Sequence, residues 1–148
     1  MQLPLAGQGL PSDQPTTIGS TKKRGDDAER QAERYLQWAG LTLIERNFRT
    51  PGRGGGEIDL VMRAPDGTLV FVEVRQRGSK SHGGAGASIS GIKQQRIIYA
   101  ARHYLMRFAS PPPCRFDVVL VQGASVTSVH GEPATAPLEW LSGAFDAS

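Results

Sequence analysis

Apolar residues recur along this chain with two periods, one helical and one strand-like. Between Asp27 and Gly40 they return every three or four residues, which predicts an amphipathic helix that ends at the glycine. A second helical stripe runs through about residues 90–108. The alternating segment 41–48 predicts a strand, and the apolar segment 115–122 predicts another. This order of elements predicts an α/β fold, with a central mixed β-sheet of four or five strands flanked by α-helices.

Two further apolar runs, 57–63 and 69–77, are separated by a short turn. The turn has the sequence APDGT at 64–68, and Pro-Asp-Gly suits a type I turn closed by a glycine with positive φ. The two runs therefore predict a β-hairpin. If the first and last residues of the turn pair, Asp59 lies opposite Glu73, and directly opposed Cβ atoms are about 5 Å apart.

Acidic residues interrupt this apolar hairpin. Strict alternation places Glu57, Asp59 and Val61 on one face, and Glu73 and Arg75 of the partner strand point the same way. Neighbouring carboxylates repel each other unless a cation lies between them, and Mg²⁺ is commonly held by one or two carboxylates. The pattern indicates either a metal site or a structural ion pair in which Arg75 neutralises Glu73 or Asp59.

Composition bounds the rest of the chain. A length of 148 residues, 39% of them hydrophobic and 21% charged, fits one globular domain. Residues 1–24 are rich in Gly, Pro, Ser and Thr and end in Lys-Lys-Arg, which predicts a flexible basic tail before a domain at 25–148. The single cysteine, Cys114, excludes an internal disulfide and a cysteine-based zinc cluster. Without a membrane-length apolar run or a signal-peptide pattern, the expected location is the cytoplasm.

The net charge of +3 is unevenly distributed. No acidic residue lies between Glu73 and Asp117, and much of the basic charge falls on one face of the second predicted helix. Such a surface suits a phosphate backbone, although a solvated helix face is the alternative. Because Tyr99, Tyr104 and Phe108 are assigned mostly to the core, duplex or branched DNA is favoured over stacked single strands. The candidate DNA-binding residues are Arg77, Lys80, Lys93, Arg96, His103 and Arg107.

Several motifs follow one another in order. They are Gly25-x-x-Ala28-Glu29, RNFR at 46–49, GEIDLVM at 56–62, FVEVRQR at 71–77, Lys93-Gln94-x-Arg96 and RFDVV at 115–119. Together they resemble the motifs of the YraN family of uncharacterised bacterial proteins. The resemblance covers about residues 25–122. The motifs are also similar to those of the PD-(D/E)XK restriction-endonuclease-like fold, especially archaeal Holliday-junction resolvases. The resemblance implies that Glu29, Asp59 and Glu73 bind Mg²⁺ or Mn²⁺ in a phosphodiesterase centre.

One position departs from the implied pattern. The resemblance implies a lysine beside the metal where this chain has Arg75, and arginine cannot act as a base because it stays protonated. Arg75 can still stabilise phosphate by charge, or Lys93 can supply an ammonium; a solvated Lys93 is the plain alternative. Together with the resemblance, the sequence predicts a metal-dependent nuclease for branched or structured DNA, with Glu29, Asp59, Glu73 and Arg75 as catalytic residues. Without the resemblance, Glu29 is an ordinary glutamate in the first turn of a helix. A non-catalytic nucleic-acid-binding module and a protein-interaction domain are the competing hypotheses, and a homodimer is one option for its assembly.

Overall fold

A five-stranded sheet with a helix on each face forms the protein in its computed structural model. The elements are α1 (Thr16–Trp38), β1 (Thr42–Arg49), β2 (Glu57–Arg63), β3 (Leu69–Arg77), α2 (Gly91–Leu105), β4 (Cys114–Gln122) and β5 (Leu138–Phe145). The structure describes the backbone of 16–77, 89–122 and 138–147, and the side chains of 26–76, 89–122 and 138–147. The strand order is β1-β2-β3-β4-β5, in which β3 and β4 are parallel and the other neighbours antiparallel. This confirms the predicted α/β fold with a mixed sheet.

The β2–β3 hairpin follows the turn chemistry of its sequence. A 2.9 Å backbone hydrogen bond joins the first and last residues of the turn at 64–68, and the glycine of the turn has a φ of +93°. The paired ladder keeps the predicted register as far as Leu60 and Val72. Asp59 and Glu73 are the next residues outward on the two strands. The predicted register is therefore confirmed, and the ladder ends where the acidic residues begin.

Both faces of the sheet carry a buried core. The buried helical stripes are Ala28, Ala32 and Leu36 on α1, and Ile97, Ala101 and Tyr104 on α2. Tyr99 was predicted to lie in the core, but 53% of its surface is exposed, so this prediction was wrong. Tyr99 follows Ile97 by two residues, which at 3.6 residues per turn places it on nearly the opposite side of α2.

Strand alternation breaks at the acidic end of β2. Ile58 and Val61 both pack on the α2 side of the sheet, whereas Leu60 packs on the α1 side. Residues three apart share a face only if the alternation is interrupted between them. β1 is irregular at the same level, where Asn47 has a φ of +51°. The prediction that strict alternation places Glu57, Asp59 and Val61 on one face of β2 was wrong, because the alternation is interrupted.

Helix α1 begins earlier than the sequence pattern predicts. α1 starts at Thr16, so residues 16–24 of the predicted tail are helical, and residues 1–15 lie outside the described part. Lysine and arginine have high helix propensity, which accounts for a helix that includes the basic run. The sequence also predicts a short edge strand at 125–130 and a terminal apolar segment at 138–145 that packs on the core. The second prediction is confirmed, because 138–145 forms β5 and its Leu138 and Trp140 pack on the core. The first lies outside the described residues. No helix within the described ranges is long and apolar enough to cross a membrane.

Two buried acids fasten the outer elements to the sheet. Glu33 of α1 accepts two hydrogen bonds from the Arg46 guanidinium of β1, at 2.7 and 2.9 Å. Asp117 of β4 accepts the Trp140 indole N–H at 2.8 Å and the Gly143 backbone N–H at 2.9 Å. Bidentate and charge-assisted bonds of this kind specify geometry as well as supply energy. The first pair therefore places α1, and the second group places β5.

The glycine-rich connection before β2 allows a close approach between two backbones. A Cβ at Gly56 would collide with the backbone carbonyl of Arg96 on α2. Thr50 closes the connection, because its N–H donates to the Gly56 carbonyl at 3.0 Å and its Oγ1 accepts the Gly56 N–H at 2.8 Å. The glycine is therefore needed to set the distance between β2 and α2.

We expect Gly56→Ala to lower the free energy of unfolding by about 2 kcal/mol or more, because the added methyl group meets backbone rather than a movable side chain. Chemical denaturation would measure the loss. Gly91→Ala is the matched control, since a Cβ at that position of α2 meets only open space, and it should be neutral or slightly stabilising. Equal stability of the two variants would contradict the close approach.

Candidate metal centre and phosphate cleft

Asp59 lies where β2 and β3 separate. Its Oδ2 accepts the backbone N–H of Val74 at 2.8 Å, so a carboxylate replaces a β2 backbone acceptor just beyond the last paired residues. Asp59 is only 7% exposed. Burial raises the pKa of this carboxyl, and the hydrogen bond from Val74 opposes that rise. The carboxylate is thereby held in the gap between two strands.

Two further carboxyl groups hydrogen-bond to Asp59. Glu29 approaches from α1 and Glu73 from β3. Burial, followed by the charge of Asp59, raises the pKa of Glu29 to about 7 and that of Glu73 to about 8. The structure thus brings together the three acids that the resemblance implied as metal ligands, one from each of three elements.

The amine of Lys93 completes this group. Lys93 Nζ lies 3.6 Å from Glu73 Oε2, and its backbone N–H donates to the Ser90 Oγ that caps α2, at 3.1 Å. Although burial dominates and raises the pKa of Glu73, Lys93 and, more weakly, Arg75 act to lower it. The sequence left open whether Lys93 reaches the acidic centre or is a solvated lysine. The structure favours the first alternative.

The second oxygen of Glu73 indicates where a cation fits. Glu73 Oε1 is buried, none of the described residues is its hydrogen-bond partner, and a buried acceptor in that state is costly. Among the described residues, no three His, Cys, Asp or Glu side chains form a ready-made metal cage. Mg²⁺, however, is usually held by one or two carboxylates together with water and phosphate oxygens. Asp59 and Glu73, with Glu29 bonded to Asp59, are therefore a donor set that fits a hard divalent cation.

A cleft of about 320 Å³ opens beside the carboxyl group cluster. We name it the basic cleft, because its charged lining among the described residues is Arg49, Lys93, Arg96 and one acid, Glu57, which pairs with Arg49 at 3.6 Å. The remaining lining comes from the glycine-rich connection, namely Thr50, Gly52, Gly54, Gly55 and Gly56. Cationic side chains and glycine backbone suit the approach of a phosphodiester.

The predicted basic face of α2 divides into two parts. Lys93 and Arg96 line the basic cleft. Near the other end of the helix, the guanidinium of Arg107 lies 3.7 Å from the centre of the Tyr104 ring. The ring centre of His103 lies 6.3 Å from the ring centre of Phe48. Arg107 and His103 therefore contribute to packing, and their assignment to DNA binding stays a prediction.

The side chains of two predicted DNA-binding residues are not described, and one residue of the basic cleft was not predicted. Arg77 ends β3, but its side chain, like the whole of Lys80, is outside the described residues. Arg49 was not singled out, although it belongs to the RNFR motif and directly precedes the glycine-rich connection. Its position next to that connection was the available signal.

Comparison with known proteins matches the chain to one family. The model of the uncharacterised protein family UPF0102, the YraN family, matches residues 28–121, close to the predicted 25–122. A UPF0102 protein of Polaromonas naphthalenivorans is 73% identical over 129 residues, which are 87% of this chain and 82% of the relative. One of Polaromonas sp. strain JS666 is 69% identical over 134 residues, 87% of this chain and 85% of the relative. One of Albidiferax ferrireducens is 61% identical over 132 residues, 89% of this chain and 94% of the relative.

We expect the metal-free protein to lose stability as the pH rises. The pKa of Glu73 is about 8 in the folded protein against an ordinary value of 4.5, so the folded state binds this proton more tightly than the unfolded state. Its contribution is complete below the ordinary value and is lost as the pH rises through the folded value. In EDTA, the Tm should fall by about 5 °C or more between about pH 5 and pH 9.

Glu73→Gln should flatten this pH dependence, because the neutral amide keeps the shape and can still donate to Asp59. Glu45→Gln is the control, since Glu45 pairs with Arg107 at 3.6 Å, away from the carboxyl group cluster. The control should keep the wild-type slope. A Glu73→Gln protein with the wild-type slope would show that the coupled carboxyls do not govern the response.

Proposed function

We propose that this chain, which belongs to the uncharacterised protein family UPF0102, is a metal-dependent nuclease that hydrolyses DNA phosphodiester bonds. The observation that carries the proposal is the meeting of Glu29, Asp59 and Glu73 with Lys93 beside the basic cleft. Metal-dependent phosphodiester hydrolysis uses acids that hold a cation and positive charge that stabilises the phosphate. Both kinds of group are adjacent here.

Asp59 and Glu73 would hold Mg²⁺ or Mn²⁺, and Glu29 would support Asp59 through their hydrogen bond. When bound, such an ion polarises the scissile phosphate and makes a bound water more acidic. The Val74 N–H would keep the Asp59 carboxylate oriented through a hydrogen bond that the sheet already contains. The binding of branched or structured DNA, as the finer part of the proposal, is supported by the motif resemblance to Holliday-junction resolvases.

Lys93 takes the role that the resemblance gave to a lysine on β3. Its ammonium, 3.6 Å from Glu73, would orient the attacking water and stabilise charge on the phosphate. The guanidinium groups of Arg75 and Arg96 would add charge stabilisation without acting as bases. An arginine on β3 is compatible with turnover if the amine comes from α2 instead.

A non-catalytic DNA-binding module is the second candidate, and Arg75 is the observation that favours it. The basic cleft would bind the phosphate backbone in the same way in either case. The two candidates differ only in whether a phosphodiester bond is broken, so cleavage assays separate them.

Mg²⁺ or Mn²⁺ should raise the Tm of the wild-type protein at about pH 8, because a ligand that binds only the folded state stabilises it by about 2.7 kcal/mol at 100 times its Kd. Asp59→Asn should lose most of this response and should melt at a higher temperature than wild type in EDTA. The Glu45→Gln control should respond like wild type. A wild-type Tm that is unchanged by millimolar Mg²⁺ and Mn²⁺ would argue against a metal centre.

Cleavage should depend on the amine of Lys93 and should not require an arginine at position 75. With Mn²⁺ or Mg²⁺ and labelled four-way junctions, flaps and linear duplexes, we expect Lys93→Ala to cut at a rate at least about 100-fold lower than wild type. Arg75→Lys should retain or increase cleavage, because it keeps the positive charge. Asp59→Ala serves as the contamination control and should be inactive.

Each alternative outcome of this assay has a separate meaning. Wild-type protein that binds DNA but does not cut it supports the non-catalytic module. Nicking that appears only in Arg75→Lys would mean that the arginine alone prevents turnover. Cleavage that persists in Asp59→Ala preparations would assign the activity to a contaminant.

A further inference from the structure

A second concave surface adjoins the basic cleft on α2. This groove, of about 450 Å³, is lined by Gly54, Gly91, Ile92, Gln95, Arg96 and Tyr99, and we name it the Tyr99 groove. Gly54 and Arg96 also line the basic cleft, so the two depressions adjoin each other. A strand held by its phosphate in the basic cleft would therefore pass along the Tyr99 groove.

Two large hydrophobic side chains of this groove are exposed. Ile92 is 72% exposed and Tyr99 is 53% exposed, although both are large hydrophobic residues. They are seven residues apart, which is two turns and about 10 Å along a helix, and Gln95 and Arg96 lie between them on the same side. α2 therefore has a second stripe, directed away from the core, in which an aromatic ring and an aliphatic side chain flank an arginine.

An aromatic ring next to an arginine is the combination that binds an unpaired nucleobase beside its phosphate. Bases stack on exposed tyrosine rings whatever their sequence, and arginine contacts the neighbouring backbone. A base within a duplex is covered by its neighbours on both faces and cannot lie on Tyr99 in this way. An apolar protein segment in the same groove would instead bury Arg96 against uncharged surface, which is costly for an unpaired charge.

We propose that the Tyr99 groove takes an unpaired nucleobase of DNA next to the phosphate held in the basic cleft. This inference rests on the proposed function and specifies its substrate class, namely DNA with a single-stranded nucleotide adjoining the bound phosphate, as in forks and flaps. It replaces the expectation that stacking plays little part, which depended on assigning Tyr99 to the core. The exposure of Tyr99 removes that basis.

The test compares a splayed-arm fork with a blunt duplex of the same length, in EDTA so that neither DNA is cut. Fluorescence anisotropy measures affinity for both, and 2-aminopurine in the unpaired arm reports stacking through its quenching. Tyr99→Ala should weaken fork binding about 5-fold or more, abolish most of the quenching and change duplex affinity less than about 2-fold. Tyr99→Phe should behave like wild type, because the ring is kept.

Met106→Ala is the matched control, since Met106 is 77% exposed at the end of α2 and does not line the groove. It should leave both affinities unchanged. Equal losses of fork and duplex binding in Tyr99→Ala, or no loss for either DNA, would overturn the inference while leaving the proposed nuclease in place. A wild-type protein that binds neither DNA would overturn the proposed function itself, together with this inference.

Discussion

The hydrogen bond from the Val74 N–H to the Asp59 carboxylate is the constraint on which the site depends. It ends the β2–β3 ladder and opens a gap in the sheet immediately beyond Leu60 and Val72. Glu29 reaches this gap from the helix on one face, and Glu73, which follows the strand alternation of Phe71, reaches it from the other. A fully paired sheet would separate these two acids. The gap lets both of them bond to Asp59.

Two packing contacts then bring the helices to the gap. The Glu33–Arg46 pair fastens α1 to β1, and Glu29 lies one helical turn before Glu33. The close approach at Gly56 sets α2 against β2 through the carbonyl of Arg96, three residues after Lys93. In each case, the contact that fixes the helix is within a turn of the residue that enters the site. Fold stability and site geometry are therefore coupled, so a variant that loosens either contact should also disturb the carboxyl group cluster.

A feature of this fold was predictable from the sequence when its cause lies in neighbouring residues, and not when it depends on distant ones. The hairpin was predictable because turn chemistry determines strand register, and the register alone places Asp59 near Glu73. Helix periodicity predicted the buried stripes, and the same periodicity excludes Tyr99 from the core, although its aromatic character suggested otherwise. The proximity of Lys93 to Glu73 was left open, because it depends on how α2 docks. The long start of α1 and the pairing of β5 through Asp117 likewise depend on non-local or weak signals.

The charge balance of the centre bears on the two interpretations that the sequence left open, a metal site and a structural ion pair. A structural ion pair lowers the pKa of its carboxylate, because the positive partner stabilises the charged form. Lys93 and Arg75 both act in that direction on Glu73, yet burial and the charge of Asp59 outweigh them and raise the pKa to about 8. Among the described residues, Lys93 and Arg75 therefore leave the acids incompletely neutralised near neutral pH. A site in that condition retains affinity for additional positive charge, which a proton supplies at low pH and a divalent cation would supply at higher pH.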